Sequence, residues 1–300
     1  MANSTPRRIC VTGATGRAGR VVVRHLAEHG YDVVATDAVV AAHEARAGVI
    51  QADLTDFGQA AEVLHGTAAV VHLASIPAPG RMTPAITFSA NVAMNFNVFH
   101  AAASLGLSRV VWTSGESTLG VPFGTGKRTA QRTGERAGLD GGGTPPRYAP
   151  VDEAHYPAPG TTYALSKVTG EAIAEQIARW TGIPFVGLRV SSIMDPGDYE
   201  RISLCWPDPH ERKWNLWSYV DVRDVAAACR LGLEAEVTGS ENVIIAAADT
   251  VMKRPSAQLL AEVFPGVPLT REVGEFGTLL AIDRARQVLG YLPRYSWRDY

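Results

Sequence analysis

The stretch Arg8-Ile9-Cys10-Val11-Thr12-Gly13-Ala14-Thr15-Gly16-Arg17-Ala18-Gly19-Arg20-Val21-Val22-Val23-Arg24-His25-Leu26 decides the fold. An apolar run of strand length meets glycines at 13, 16 and 19, and apolar positions 22, 23 and 26 then recur at helical spacing. The pattern reads as strand, loop and helix. The first glycine permits the tight turn out of the strand, the second lets the backbone approach a pyrophosphate, and the third lets the helix pack close to the sheet. The free N–H groups of the helix then face the phosphate charge. A second apolar strand, Tyr31 to Thr36, leads into Asp37, twenty-one positions after Gly16. A carboxylate there accepts hydrogen bonds from the adenosine ribose and repels a 2′-phosphate, which favours NAD over NADP. Arg17 opposes that reading, because a guanidinium in the loop could hold the 2′-phosphate. No lysine or arginine follows Asp37 before Arg46, so the carboxylate is expected to dominate.

A chain of 300 residues is one large α/β domain or one domain with an appendage. Hydrophobic content of 46% and charged content of 19% fit a globular protein with a sizeable core. A net charge of -2 gives no electrostatic reason to expect nucleic acid or an anionic membrane as partner. Cys10, Cys205 and Cys229 are odd in number and lack paired spacing, which points to a reducing compartment and away from a disulfide framework. The eight histidines show no ligand spacing, so no metal is expected. The short polar Met1 to Pro6 fits neither a signal peptide nor a membrane span, and a cytoplasmic location is expected.

Further along, Val49 to Leu54 reads as a short third strand ending at Asp53, followed by a helix near 57–66 and a fourth strand, Ala69 to Ala74. Strands alternating with helices imply a doubly wound parallel sheet of the Rossmann type, with ligands at the carboxyl ends of the strands. Asp53 and the exit Leu73-Ala74-Ser75 are then placed to touch adenine and ribose, although Asp53 could equally cap the turn before Thr55. A long helix at 84–106 carries Asn91, Asn95 and Asn97, and Arg109 to Ser114 forms a fifth strand. From Gly115 to Gly160 the chain turns rich in Gly, Pro, Arg and Thr. Residues 124–145 are expected to be mobile, with Lys127, Arg128, Arg132 and Arg136 solvated. A helix at 161–181, a strand to Val190, an irregular stretch at 191–218, a helix at 221–236 and a strand Asn242 to Ile245 follow. Helices near Pro255 and at 280–289 complete the chain. The expected division is a Rossmann domain over 1–190 and 220–248, with a small C-terminal substrate-binding subdomain from 191–219 and 249–300.

The chemistry is carried by Tyr163-Ala164-Leu165-Ser166-Lys167 on the helix at 161–181. Four residues apart, phenol and ammonium share one helix face. Beside a positive charge, and beside the positive nicotinamide of NAD, the phenol pKa should fall, so that Tyr163 can exchange a proton with a substrate hydroxyl near neutral pH.

These features together resemble the extended short-chain dehydrogenase/reductases, also called the NAD-dependent epimerase/dehydratase family. The matching residues are Thr12 to Gly19, Asp53-Leu54, His72-Leu73-Ala74, Asn91-Val92, and Tyr163 to Lys167 followed by Gly170-Glu171. Leu188-Arg189, Tyr219 to Ala226 and Leu289-Gly290-Tyr291 also match. The resemblance covers almost the whole chain. It implies tightly held NAD, Tyr163 as acid/base, Lys167 on the nicotinamide ribose, and often a homodimer joined through the helices near 84–106 and 161–181. Carried onto this sequence, the cofactor contacts are Gly13, Thr15, Gly16, Arg17, Ala18, Gly19, Asp37, Asp53, Leu54, Leu73, Ala74, Ser75, Asn91, Thr113, Tyr163, Lys167 and Val190. Expected substrate contacts are Ser75, Ser117, Ser192, Trp217 and Arg223.

The sequence departs from the family in three places. The family's catalytic Ser or Thr falls on Gly115, so the substrate-polarising hydroxyl must come from Ser117, Ser114 or Thr118, or be absent. Glu116 stands where dehydratases use an acid, yet lacks the second acid beside it. Nucleotide-sugar members place an Asn and an Arg where this chain has Ser192 and Trp217, a loss of charge-assisted phosphate contact of roughly 1.5–3 kcal/mol. Arg201, Arg212, Lys213 and Arg223 could compensate, and Trp206, Trp214 and Trp217 suggest an aromatic wall for a ring-shaped substrate or else core packing. Three readings follow. The first is an NAD-dependent oxidoreductase or epimerase acting on a secondary alcohol or ketone of a sugar-like or other small cyclic substrate. The second is a nucleotide-sugar epimerase or dehydratase proper, and the third a catalytically impaired NAD-binding regulatory protein.

Overall fold

A computed structural model describes residues 8–123 and 144–300. The basic cluster Lys127, Arg128, Arg132 and Arg136 and nearly all of the segment expected to be mobile lie outside the described residues. Nine strands are present among them. β1 (Arg8–Thr12), β2 (Asp32–Asp37), β3 (Ile50–Gln51), β4 (Ala69–His72), β5 (Arg109–Thr113), β6 (Phe185–Val190) and β9 (Ser240–Ile245) form one parallel sheet in the order β3-β2-β1-β4-β5-β6-β9. β7 (Ile193–Met194) and β8 (Val220–Asp221) pair in parallel beside it. The helices are α1 (Arg17–Glu28), α2 (Ala42–Arg46), α3 (Phe57–Leu64), α4 (Pro84–Ser104), α5 (Thr162–Thr181), α6 (Pro196–Tyr199), α7 (Val222–Glu234), α8 (Ser256–Val263) and α9 (Asp283–Leu289). None is long and apolar enough to cross a membrane.

The period of two sorts each strand's side chains between the two faces. Ile9, Val11, Val71, Val111 and Leu188 pack with α1 and α7 through Val22, Leu26, Val225 and Cys229. Cys10, Val70, Val110, Trp112 and Phe185 pack with α3, α4 and α5 through Leu64, Phe99 and Ile177 on the other face. A sheet buried on both sides explains why its strands read as apolar runs rather than alternating ones. The chain turns back between β1 and β4, so the crevice for a ligand opens at their carboxyl ends, beside the glycine loop.

A third apolar cluster lies beyond those ends, built from Leu119, Phe123, Met194, Ile202, Leu216, Trp217, Tyr219, Val251, Leu259 and Leu280. The stretch 191–218, irregular by sequence, contains β7, the single turn α6 and two 3-10 turns. The third strand is only two residues long, because Ala52 and Leu54 turn inward to the core instead of continuing along β2.

Candidate active site

α1 begins at Gly16 with no side-chain cap and no acidic residue in its first turn. A Cβ at Gly19 would lie 2.0 Å from Gly13 O, and one at Gly13, whose φ is +69°, would lie 2.8 Å from Ala74 N. Loop, helix and β4 are therefore packed too closely for side chains, and the first amides of α1 stay open to an anion. This is the cradle a pyrophosphate fits. At the end of β2, Asp37 accepts hydrogen bonds from Thr15 N at 3.0 Å, Thr15 Oγ1 at 2.8 Å and Ala38 N at 2.8 Å. Its carboxylate is thereby fixed beside the loop with acceptor capacity left for ribose hydroxyls.

Arg17 does not approach Asp37. Its guanidinium donates to Ile193 O at 3.3 Å and pairs with Asp198, with Asp195 at 3.8 Å, so its side chain serves the 193–198 segment and is not free for a 2′-phosphate. Asp53 is exposed and accepts from Thr55 N at 2.9 Å and Thr55 Oγ1 at 2.7 Å, the local turn role, while Leu54 is buried. Thr12 Oγ1 accepts from Leu73 N and Ala74 N and donates to His72 Nδ1 at 2.7 Å. The far nitrogen of His72 donates to Asn95 Oδ1, and burial pushes the ring pKa down to about 3, so the imidazole is neutral and structural. Asn91 bonds both backbone groups of Ile76 and the hydroxyl of Ser166, tying the exit after Ser75 to α5.

α5 carries Tyr163 and Lys167 to the end of β5. Lys167 is buried and donates to Thr113 O at 2.8 Å, and burial lowers its pKa to about 8 against the opposing pull of Glu171. Its ammonium lies 5.6 Å from the centre of the Tyr163 ring. The expected fall in the phenol pKa is not found in the protein itself. Burial, and then the Glu116 carboxyl, push the Tyr163 phenol up.

The three candidate hydroxyls part company, and buried Thr118 Oγ1 donates to Gly115 O at 3.0 Å. Ser114 Oγ donates to Glu171 Oε1 at 2.5 Å, and Glu171 is held by Arg189 in a buried bidentate pair at 2.9 Å. Ser117 Oγ is buried without a partner among the described residues. Gly115 has extended backbone at φ 179°, a conformation open to any residue. A Cβ there would meet Ser117 Oγ at 3.5 Å and Tyr163 Oη at 3.9 Å. Both hydroxyls therefore line the space that a side chain at 115 would enter. Glu116 turns the other way, accepting from Ser191 Oγ at 2.5 Å and Asn215 Nδ2 at 3.3 Å, and burial raises its pKa to about 7.

On the substrate side the sequence expectations need correction. Trp217 is fully buried, packs on Phe264 and donates to Pro209 O at 2.8 Å, so it is core rather than a wall for substrate. Arg223 is held by Asp221 in two hydrogen bonds of 2.8 Å, lies 3.7 Å from the ring centre of Tyr295 and bonds Tyr300. Its charge is neutralised away from Tyr163. Ser192 does face a cleft, shared with Arg17, Asp198, Arg201, Cys205 and Arg212. Among the described residues no three His, Cys, Asp or Glu side chains gather as a metal would require.

The reversing parallel sheet, the open helix start beside Asp37, and the tyrosine and lysine on α5 define an NAD-binding enzyme of the doubly wound class. Residues 9–247 match the NAD dependent epimerase/dehydratase family, and the chain belongs to it. It is 29% identical over 192 residues to the L-arabinose 1-dehydrogenase (NAD(P)(+)) of Haloferax volcanii, covering 62% of this chain and 67% of the relative. It is 25% identical to the UDP-glucose 4-epimerase of Rhizobium meliloti, over 96% of this chain and 93% of the relative. A short-chain dehydrogenase/reductase superfamily protein from Agrobacterium tumefaciens, solved with bound NAD, superposes with a TM-score of 0.69 at 20% identity, covering 97% and 94% of the two chains.

Ser191 and Asn215 were not singled out as site residues by their pattern, since they sit in a stretch without periodicity and come together on Glu116 only through the fold. Glu116 supplies a pH test. A carboxyl whose folded pKa is raised contributes stability that is fully present below the ordinary carboxylate range and lost as pH rises through its folded value. Between about pH 4.5 and about pH 7, wild type should lose thermal stability relative to Glu116→Gln. Parallel melting curves across that window would show that the buried carboxyl is not strained by its surroundings.

Proposed function

We propose that this enzyme oxidises a secondary hydroxyl, or reduces the matching ketone, on a sugar-like or other small cyclic substrate, with Tyr163 as the acid/base. The observation that carries the reading is the pairing of Tyr163 Oη with the unpartnered Ser117 Oγ around the empty side-chain position of Gly115. Two hydroxyls converging on one small space suit a single substrate oxygen. Ser117 donates to that oxygen and holds it, while Tyr163 takes its proton in oxidation and returns one in reduction. Lys167 fixes α5 through Thr113 O and would hold the nicotinamide ribose, as the family resemblance implies. When bound, NAD supplies the hydride acceptor and a positive ring that counters the effect of burial on the phenol. The sugar class is supported by the two curated relatives, whose names give an arabinose dehydrogenase and a UDP-glucose epimerase. Buried Trp217 in place of a diphosphate-binding arginine favours a substrate without a nucleotide.

Tyr163→Phe should lower kcat about 10²- to 10⁴-fold in an absorbance assay of NAD reduction, with NAD binding retained. Ser117→Ala should also impair turnover, whereas Ser114→Ala should chiefly lower the melting temperature, because Ser114 serves the Glu171 and Arg189 pair. Turnover by Tyr163→Phe within about tenfold of wild type would remove the acid/base role. We further infer a homodimer through α4 and α5, whose Ile86, Phe96, Leu165 and Trp180 are 49%, 44%, 44% and 66% exposed. Sedimentation should then give twice the 32.0 kDa chain mass, and a monomer at micromolar concentration would contradict it.

A further inference from the structure

The cleft beside the glycine loop, about 280 Å³ in volume, lies between Arg17 on one side and residues 192–212 on the other. Three guanidinium groups line it, and they are not equivalent. Arg17 is paired with Asp198 and Asp195. Arg201 is exposed. Arg212 is different in each respect. Its Nε is buried without a partner, and the guanidinium's one hydrogen bond among the described residues is to a neutral acceptor, Ser218 O at 2.9 Å. The nearest charges acting on it, Glu116, Cys205 and Asp198, form no ion pair with it. Its backbone is left-handed at φ +56°, a conformation costly for a side-chain-bearing residue, and its guanidinium lies 5.5 Å from the Trp214 ring centre.

Burial disfavours the charged form of Arg212, and the Glu116 and Asp198 carboxyls offset that cost only from a distance, without pairing directly with the guanidinium. An anion at the open Nε would add the direct pairing that those carboxyls do not make. A guanidinium with an open Nε presents the fork that binds carboxylate or phosphate through two parallel N–H groups. The cleft adjoins the Gly115 turn through Glu116, whose carboxyl accepts from Ser191, next to the cleft-lining Ser192, and from Asn215, three residues after Arg212.

We propose that Arg212 anchors an oxyanion of the substrate, a carboxylate or a phosphate, in the cleft beside the glycine loop. This rests on the reading of Tyr163 and Ser117 above and narrows its substrate class to acidic sugars or comparably sized hydroxy compounds carrying one anionic group. The cation comes from the stretch between β7 and β8, and so replaces in function the arginine that Trp217 displaces.

The test compares glucuronate, glucose 6-phosphate and glucose as probes, in wild type, Arg212→Gln and Arg212→Lys. Binding is followed by tryptophan fluorescence, since Trp214 lies 5.5 Å from the Arg212 cation, and turnover by NAD reduction. Wild type should bind one of the two anionic sugars at least about 10-fold more tightly than glucose, and Arg212→Gln should lose about 10- to 100-fold of that affinity with NAD binding unchanged. Arg212→Lys, which keeps the charge and loses the fork, should fall between them. Preference for glucuronate identifies a carboxylate, and preference for glucose 6-phosphate a phosphate. Equal binding of all three sugars by wild type, or an equal loss for charged and neutral sugars in Arg212→Gln, overturns the proposal. Anion binding that depends on Arg212 without turnover of any probe leaves this site standing and counts against the redox reading instead.

Discussion

The site depends on how α5 is fixed to the ends of β5 and β6. Two buried contacts do this, Lys167 Nζ on Thr113 O and the Glu171 carboxylate shared between Arg189 and Ser114. The first is a charge-assisted hydrogen bond from a buried ammonium, the second an ion pair with almost no solvent exposure. Removing one partner of such a pair strands a charge in the core, a cost on the order of 3–5 kcal/mol. The helix therefore cannot slide or rotate cheaply, and Tyr163, one turn before Lys167, is held where the sheet ends. Position, rather than a lowered pKa, is what the protein itself supplies to the phenol.

The same economy of space appears at the glycine loop and at Gly115. At positions 13 and 19 a side chain is excluded by backbone 2.0–2.8 Å away, which leaves amides and a helix start facing the crevice. At position 115 nothing in the backbone demands glycine, and a Cβ would make only ordinary contacts. The missing side chain there leaves room that Ser117 Oγ and Tyr163 Oη border. In the proposed function the family hydroxyl falls two residues along the chain, at Ser117 on the 3-10 turn Glu116–Leu119, where Glu116 accepts from Ser191 and Asn215.

What was legible in the sequence was whatever depends on local geometry. Glycine spacing, the acid after the second strand, apolar strand runs and the Tyr163 to Lys167 interval all follow from rules that act over a few residues. The two-residue pair β7 and β8 was not legible, because it is created by chain ends brought together over 27 positions of non-periodic sequence. Trp217 could be read as a wall or as core, and only packing against Phe264 decides for core. Ser114 and Ser117 looked alike until Glu171, far along the chain, claimed one of them. The Tyr163 phenol is pushed up rather than down because it is buried, which helix spacing alone does not reveal.

In the proposed reaction two hydroxyls share one substrate oxygen. A crystal structure of the enzyme with NADH and a bound keto or hydroxy sugar measures this directly. Tyr163 Oη and Ser117 Oγ should both lie about 2.6–3.2 Å from the reacting oxygen, with Ser114 Oγ still on Glu171. A reacting oxygen held by neither Tyr163 nor Ser117 would contradict the mechanism at its root.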